Sequence, residues 1–486
     1  MRRPATPEPA PLRVLSVASE CAPLVKTGGL ADVVGALPGA LAPEGVEMRV
    51  LLPGYPAVMG ALAREGVAVE EWDLFGGRAG VVAGTAAGLS LLVVEAPHLF
   101  ARAGSIYLGP DGRDWPDNPE RFAGLCWMAA RVAVEGVGGW KPDVLHCHDW
   151  QGGLVPEYLR YLGGPGRAGT VLTIHNMAFH GMIPPARMDA LRLDTRRFTP
   201  QGFEFYGRVS ALKAGLVAAD RLTTVSPTYA EELLRPEFGM GLDGVMRARR
   251  DDTFGILNGI DEEVWGPAAD PEVIPYADPA GKAANKARLR EEFGLPESSG
   301  PLCVVVSRLT EQKGLDLLIE ALPALLSRGG QLAVLGSGEA WMEDAFRRAT
   351  TSGQVGARIG YDEALSHRMM AGGDAILVPS RFEPCGLTQM YGLRYGTIPV
   401  VALTGGLADT VINASPAAQA VGVATGLQFH PVTADALRGA LARLCDLYAD
   451  RDAWAGLQRN AMRQPVGWGS SAKAYARLYR DVAPAR

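Results

Sequence analysis

The sequence predicts an α/β protein made of two doubly wound, Rossmann-like domains, and three observations carry that reading. The chain has 486 residues, more than one ordinary core accommodates. Short runs rich in Val, Leu and Ile alternate with longer helical patterns, and each run ends in a polar or glycine-rich turn. The alternation stops and then restarts, with the apolar-poor stretch GPAADPEVIPYADPAGKAANK in between.

Strands read at 13–20, 47–55, 90–97, 143–149, 169–176 and 221–226 in the first series, and at 303–309, 331–338, 375–381 and 399–406 in the second. Continuous apolar runs suit parallel strands buried on both faces and joined by right-handed helical crossovers. The expected domains are 12–258 and 259–465. Residues 466–486 read as a helix that packs back on the first domain, capped by Ser470 or Ser471. In open α/β sheets ligands bind beyond the carboxyl ends of the strands, so the two domains are expected to face each other across a cleft lined by strand-end loops.

Composition narrows the partners. Apolar residues make up 48% and charged residues 21%, as in a soluble globular protein. A formal charge of −6 argues against nucleic acid or an anionic membrane surface, so an anionic ligand needs a local positive site. No apolar run reaches the roughly 20 residues of a membrane span. The opening MRRPATPEPAP has charge and proline but no apolar core, and residues 1–11 read as a disordered tail rather than a signal peptide. Six scattered cysteines without a CxxC pair fit free thiols in a reducing cytoplasm.

Five stretches after strands carry candidate chemistry. Only seven of the 47 basic residues are lysines, yet one opens Lys26-Thr27-Gly28-Gly29 just before a helix. Gly28 and Gly29 let backbone N–H groups approach an anion, and lysine is a mobile point charge where arginine is a planar fork. The plainer alternative is a tight turn with a solvated lysine. Arg308 and Lys313, five apart, suit a diphosphate, because basic side chains at a helix start are otherwise opposed by its dipole. Gly336 opens a GxG with neither the third glycine nor the distal acid of a nicotinamide site, but it leaves room for a nucleotide. Glu383-Pro384-Cys385-Gly386-Leu387-Thr388 brings a carboxylate, a thiol and a turn to a helix start. Glu383 there is either a cap or an acceptor for sugar hydroxyls, and Cys385 has no local His to make it a nucleophile. Finally, four of the seven histidines fall at 146, 148, 175 and 180. Neither HExxH nor a Cys/His zinc spacing accompanies them, so no metal is expected, and Asp149 and His175 are read as contacts to a polar substrate. Asp450-Arg451-Asp452 lies far from any strand end and is discounted as a metal motif.

Taken together, KTGGLADVVGALP, HDWQGGL, TIHNMAFHG, LKAGLVAADRLTTVSPTYAEE, LNGIDEEVW, SRLTEQKGLDLL, SHRMMAGGDAILVPSRFEPCGLTQMYGLRYGTIPVV and TGGLADTV, in that order, resemble the bacterial glycogen synthase and plant starch synthase family from about residue 12 to residue 480. The resemblance implies the GT-B arrangement of two Rossmann-like domains. It also implies retaining, metal-free transfer of glucose from ADP-glucose to the 4-hydroxyl at the non-reducing end of an α-1,4-glucan, with no cofactor. It puts Lys26, Arg308 and Lys313 at the donor phosphates and Glu383 at the glucose hydroxyls. Gly386, Leu387 and Thr388 would offer N–H groups. His175 would lie beside the anomeric carbon and Asp149 near the sugar. Tyr361 would pack on adenine, and Tyr107 and Asn258 would lie near donor and glucan. Many retaining relatives of this fold have a second glutamate where this chain has Tyr391, as the glycogen and starch synthase pattern does. Two rivals stay open: a transferase of the same fold using UDP-glucose or another acceptor, and a glucan-binding scaffold without turnover.

Overall fold

The computed structural model describes residues 10–485, so the expected tail at 1–11 lies outside the described residues for positions 1–9. The chain forms two compact units. Unit one comprises Met1–Val225, Ala230–Ile256 and Trp468–Arg486, and unit two comprises Ser226–Tyr229 and Leu257–Gly467.

Unit one is built on β1 (Leu12–Val17), β2 (Val46–Pro53), β3 (Ala63–Glu71), β4 (Ala79–Ala86), β5 (Leu89–Glu95), β6 (Val144–His148) and β7 (Gly169–Ile174). The short β8 (Met182–Ile183), β9 (Glu204–Phe205) and β10 (Arg208–Ser210) follow, then β11 (Arg221–Thr224) and β12 (Thr253–Gly255). Nine strands form one sheet in the order β12-β11-β7-β6-β1-β2-β5-β4-β3, and β8, β10 and β9 form a separate small sheet. From β12 to β5 every pairing is parallel, whereas β4 pairs antiparallel with both β5 and β3. The sequence reading of parallel strands therefore misses this antiparallel edge. β3 is almost wholly exposed and β4 is interrupted by Gly and Ala, so neither shows the continuous apolar run of a strand buried on both faces.

The helix Gly469–Val482 belongs to unit one and buries Ala472, Tyr475, Ala476, Leu478 and Tyr479 in a core shared with Val14, Val33, Leu37, Leu41 and Met48. The expected serine cap is not there. Trp468 occupies the cap position without a side-chain hydrogen bond, and Ser470 and Ser471 lie inside the first turn. Trp468 is itself part of the core, so burial of the indole fixes where this helix starts.

Unit two contains β13 (Leu302–Val306), β14 (Gln331–Gly336), β15 (Val355–Ile359), β16 (Ala375–Val378), β17 (Ile398–Ala402) and β18 (Leu427–Phe429). They form an all-parallel sheet in the order β15-β14-β13-β16-β17-β18. Counted within the unit this is 3-2-1-4-5-6, the doubly wound nucleotide-binding order, whose crevice opens where the chain reverses its direction of build, between the first and fourth strands. β15 and β18 escape the sequence reading because a short strand with polar or Gly interruptions has little periodicity to detect. Asp450 of the discounted Asp-Arg-Asp triplet caps the helix Arg451–Met462 by accepting from the Ala453 N–H.

Candidate active site

In unit two the switch point lies between β13 and β16, and the loops after these strands carry most of the expected donor residues. The loop after β13 brings Lys313, at the end of a short 3-10 turn, to the loop after β16. Lys313 Nζ stands 2.6 Å from Glu383 Oε2, and the Ser380 hydroxyl donates to the same oxygen at 3.0 Å. Glu383 is buried, so this ion pair is formed largely away from water. The two loops are also tied by the Arg381 N–H donating to the Gln312 carbonyl at 2.9 Å. Arg308 is exposed, in the same loop as Lys313.

Gly386 has φ of 70° and turns the chain into the helix Thr388–Tyr395. The N–H groups of Gly386, Leu387 and Thr388 therefore lie at a helix start, where donors are unpaired and the dipole favours an anion. Gln389 braces the turn by donating to the carbonyls of Cys385 and Gly386 at 3.1 and 2.9 Å. Burial pushes the Cys385 thiol up to about 12, so it stays protonated and packs rather than reacts. Asn258 is buried beside it, donating its N–H toward the thiol, with Oδ1 unpartnered among the described residues. Gly336 ends β14 where a Cβ would lie 1.9 Å from the Ser307 carbonyl oxygen, so close packing of the two strand-end loops already demands glycine there. Tyr361, after β15, is 78% exposed and its hydroxyl donates to Glu363.

Sequence reasoning passed over the clamp behind Glu383. Gly405 and Gly406 open the helix Gly405–Thr410, and the Gly406 N–H donates to the Glu383 carbonyl at 3.1 Å. A Cβ on Gly405, whose φ is 43°, would stand 2.0 Å from that same carbonyl oxygen. Ser226 donates to the Pro384 carbonyl at 2.7 Å, and Asp409 accepts from Thr228. The signal was the TGGLADT stretch, read as part of a pattern but not as a contact to the Glu383 turn.

In unit one the switch point lies between β1 and β6. Lys26 is half-exposed and its ammonium pairs with Asp32 at 2.9 Å, in the first turn of the helix Gly29–Leu41. The Gly28 N–H, expected to approach an anion, donates to Glu20 Oε2 at 3.3 Å, and the Thr27 N–H donates to the same oxygen at 2.5 Å. Glu20 is buried, and it also accepts from the Tyr107 hydroxyl at 2.9 Å. An internal carboxylate thus answers the amides of this turn and ties Tyr107 to it. The sequence reading omits Glu20, although an acid directly after β1 was a visible sign. Gly29 is the first residue of the helix.

At the ends of β6 and β7, Asp149 and His175 come together. Asp149 Oδ1 accepts the His175 N–H at 2.7 Å and the Asn176 N–H at 3.3 Å. Burial raises the Asp149 carboxyl to about 7 despite those two donors, and its φ of 51° marks a strained backbone. Burial lowers His175 to about 3, so its imidazole is neutral. His175 Nε2 lies 3.0 Å from His148 Nδ1. Among the described residues no group of three or more His, Cys, Asp or Glu side chains is arranged to hold a metal, and no helix is long and apolar enough to cross a membrane.

This geometry has known counterparts. Residues 13–248 match the starch synthase catalytic domain family, and residues 286–460 match glycosyl transferases group 1. A glycogen synthase of Paracoccus denitrificans (strain Pd 1222) is 64% identical over 472 residues, 97% of this chain and 99% of that protein. One from Jannaschia sp. (strain CCS1) is 62% identical, again over 97% and 99%. The solved catalytic domain of starch synthase IV from Arabidopsis thaliana, bound to ADP and acarbose, superposes with a TM-score of 0.87 at 32% identity, covering 97% of this chain and 99% of that one.

Proposed function

The chain belongs to the glycogen and starch synthase family of glycosyltransferases, and on that premise we propose that it moves glucose from ADP-glucose to the 4-hydroxyl at the non-reducing end of an α-1,4-glucan, with retention and release of ADP. The observation that carries this reading is the Lys313–Glu383 pair at the switch point of unit two, beside the amide-lined turn at Gly386–Thr388. A sugar nucleotide has an anionic diphosphate next to a polyhydroxy ring. A cation, a helix start and a carboxylate within one pair of loops match those needs.

Cleavage of the sugar–phosphate bond leaves charge on the departing ADP. Arg308, Lys313 and Lys26 stabilise that charge more in the transition state than before it, which is what lowers the barrier. With organic cations in this role the transfer proceeds without a metal or cofactor. Neither carboxylate suits covalent catalysis. Glu383 is bound by Lys313 and Ser380, and Asp149 is partly protonated near neutral pH with Oδ1 committed to backbone N–H groups. Attack on the face from which ADP departs accounts for retention, the leaving phosphate taking the acceptor's proton. A covalent glucosyl adduct trapped on Glu383 or Asp149 would overturn this step.

The direct test is glucose transfer to glycogen from ADP-glucose and from UDP-glucose, in EDTA. Strong transfer from ADP-glucose is expected. Transfer only from UDP-glucose reassigns the donor, and loss with the chelator removes the metal-free mechanism. No transfer from either favours a glucan-binding scaffold.

A further inference from the structure

His175 is held from two sides by consecutive residues at the end of β6. Asp149 takes its backbone N–H, and His148 meets its ring. His148 is fully buried, and its other nitrogen, Nε2, lies 3.0 Å from the hydroxyl of Ser16 on β1. The three side chains form a chain running Ser16 Oγ, His148 Nε2, His148 Nδ1, His175 Nε2.

Each neutral imidazole carries one N–H, so the chain has two possible directions. In one, His148 Nε2–H donates to Ser16, and the serine proton is then left buried without an acceptor, because Ser16 Oγ has no other partner among the described residues. In the other, Ser16 donates to His148 Nε2, and His148 Nδ1–H donates to His175 Nε2. The second direction satisfies the donors of the two fully buried residues, the Ser16 hydroxyl and His148 Nδ1–H, and leaves the unpaired N–H on the part-exposed His175 ring. An unpaired donor is costlier where it is fully buried. We propose that Ser16 and His148 are positioning residues that fix His175 as its Nδ1–H tautomer and aim that N–H at an oxygen of the reacting sugar.

Burial supports this by holding both rings neutral: His148 lies well below its ordinary value and His175 falls to about 3. His146 does not compete for the chain. Its nitrogens face the Tyr479 hydroxyl at 2.7 Å and the Thr173 hydroxyl at 2.6 Å. His175 Nδ1 has no partner among the described residues, as expected of a donor kept for a ligand. The inference rests on the reading that His175 lies beside the donor sugar.

The test uses the full-length protein labelled with 15N-histidine. Two-bond 1H–15N correlations read the tautomer directly, with His175 assigned by loss of its signals in His175→Asn. The expected spectrum has a protonated, pyrrole-type Nδ1 and a bare, pyridine-type Nε2. A protonated Nε2, or an imidazolium at neutral pH, overturns the inference even if ADP-glucose transfer is intact. Ser16→Ala is expected to release the Nε2–H tautomer and to lower kcat about tenfold with KM for ADP-glucose nearly unchanged, the lower end of what losing an orienting partner costs. His148→Asn, which keeps an N–H donor, should retain more activity than His148→Leu. A changed tautomer in Ser16→Ala with an unchanged kcat removes the link to transfer. If wild type fails to transfer from ADP-glucose, the functional reading fails, while the spectrum still decides the tautomer.

Discussion

Lys313 and Lys26 each follow a strand at the switch point of their own sheet, yet their surroundings differ. Lys313 is largely buried and bound at 2.6 Å to a carboxylate that two loops and two glycines hold in place. Lys26 is half-exposed and bound to Asp32 in the first turn of the helix that follows it, next to amides already answered by Glu20. An ion pair at the surface is weak and exchangeable, whereas a buried one is destabilising to break. Unit two thus has a preformed constellation, whereas the cation of unit one is held by a partly exposed ion pair to Asp32.

Mutations sharpen this contrast, beginning with the largest effect. Glu383→Ala leaves Lys313 largely buried and uncompensated. It should cost roughly 3–5 kcal/mol of unit-two stability, read by denaturant unfolding, and abolish measurable transfer. Wild-type stability in that variant would mean that the pair is not buried in solution. Lys26→Ala should lower kcat by roughly 10²–10³ without moving the unfolding midpoint, the scale of one lost charge-stabilising donor. Lys26→Arg should also fall well below wild type, since a planar fork does not replace a point charge. A fully active arginine variant removes the special role of lysine.

Acidification should separate the units next. Burial lowers His146 and His175 to about 3 and His148 well below 6.5, so these rings bind fewer protons folded than unfolded. Their share of stability is present above pH 6.5 and is lost as pH falls toward 3. Asp149, raised to about 7, acts in the opposite sense between 3.8 and that value, favouring the folded state at the acid end. Three imidazoles outweigh one carboxyl. In unit two, burial pushes Lys282 down to about 7, and below that pH it is charged in both states and adds no slope. Hydrogen exchange at about pH 5 against pH 7 should therefore show protection lost in β6 and β7 before β13 and β14. The reverse order would contradict the burial of the histidine chain.

The two smallest effects fall in unit two. Tyr361→Ala removes an exposed ring and should raise KM for ADP-glucose roughly 2–10-fold, the range of one aromatic stack, with kcat unchanged. Cys385→Ser should keep most activity, because the thiol is protonated and packs. Complete loss would give the sulfur a chemical role.

The strands buried on both faces were legible in the sequence because an unbroken apolar run has few other uses. The antiparallel edge β3–β4 was not, because a half-exposed edge lacks that run. Glu383 and Lys313 were each visible as polar residues after a strand. Their pairing was not, since 70 residues separate them and only the β13–β16 neighbourhood closes the gap. The capping serine failed for a related reason: a local rule offered Ser470 or Ser471, and burial of Trp468 overrode it.

The sequence by itself determined two doubly wound α/β halves, the strand-end positions of Lys26, Arg308, Lys313 and Glu383, and membership in a family of sugar transferases. Those features depend on local periodicity and on motif order, which a linear chain displays. Only the tertiary structure decided that Glu20 occupies the amides beside Lys26, that Gly405 backs the Glu383 carbonyl, and that Ser16 and His148 lead to His175. The Glu20 contact is made by the folding of one loop on itself, which periodicity does not report, whereas the other two join the ends of different strands that sheet order brings within hydrogen-bond distance.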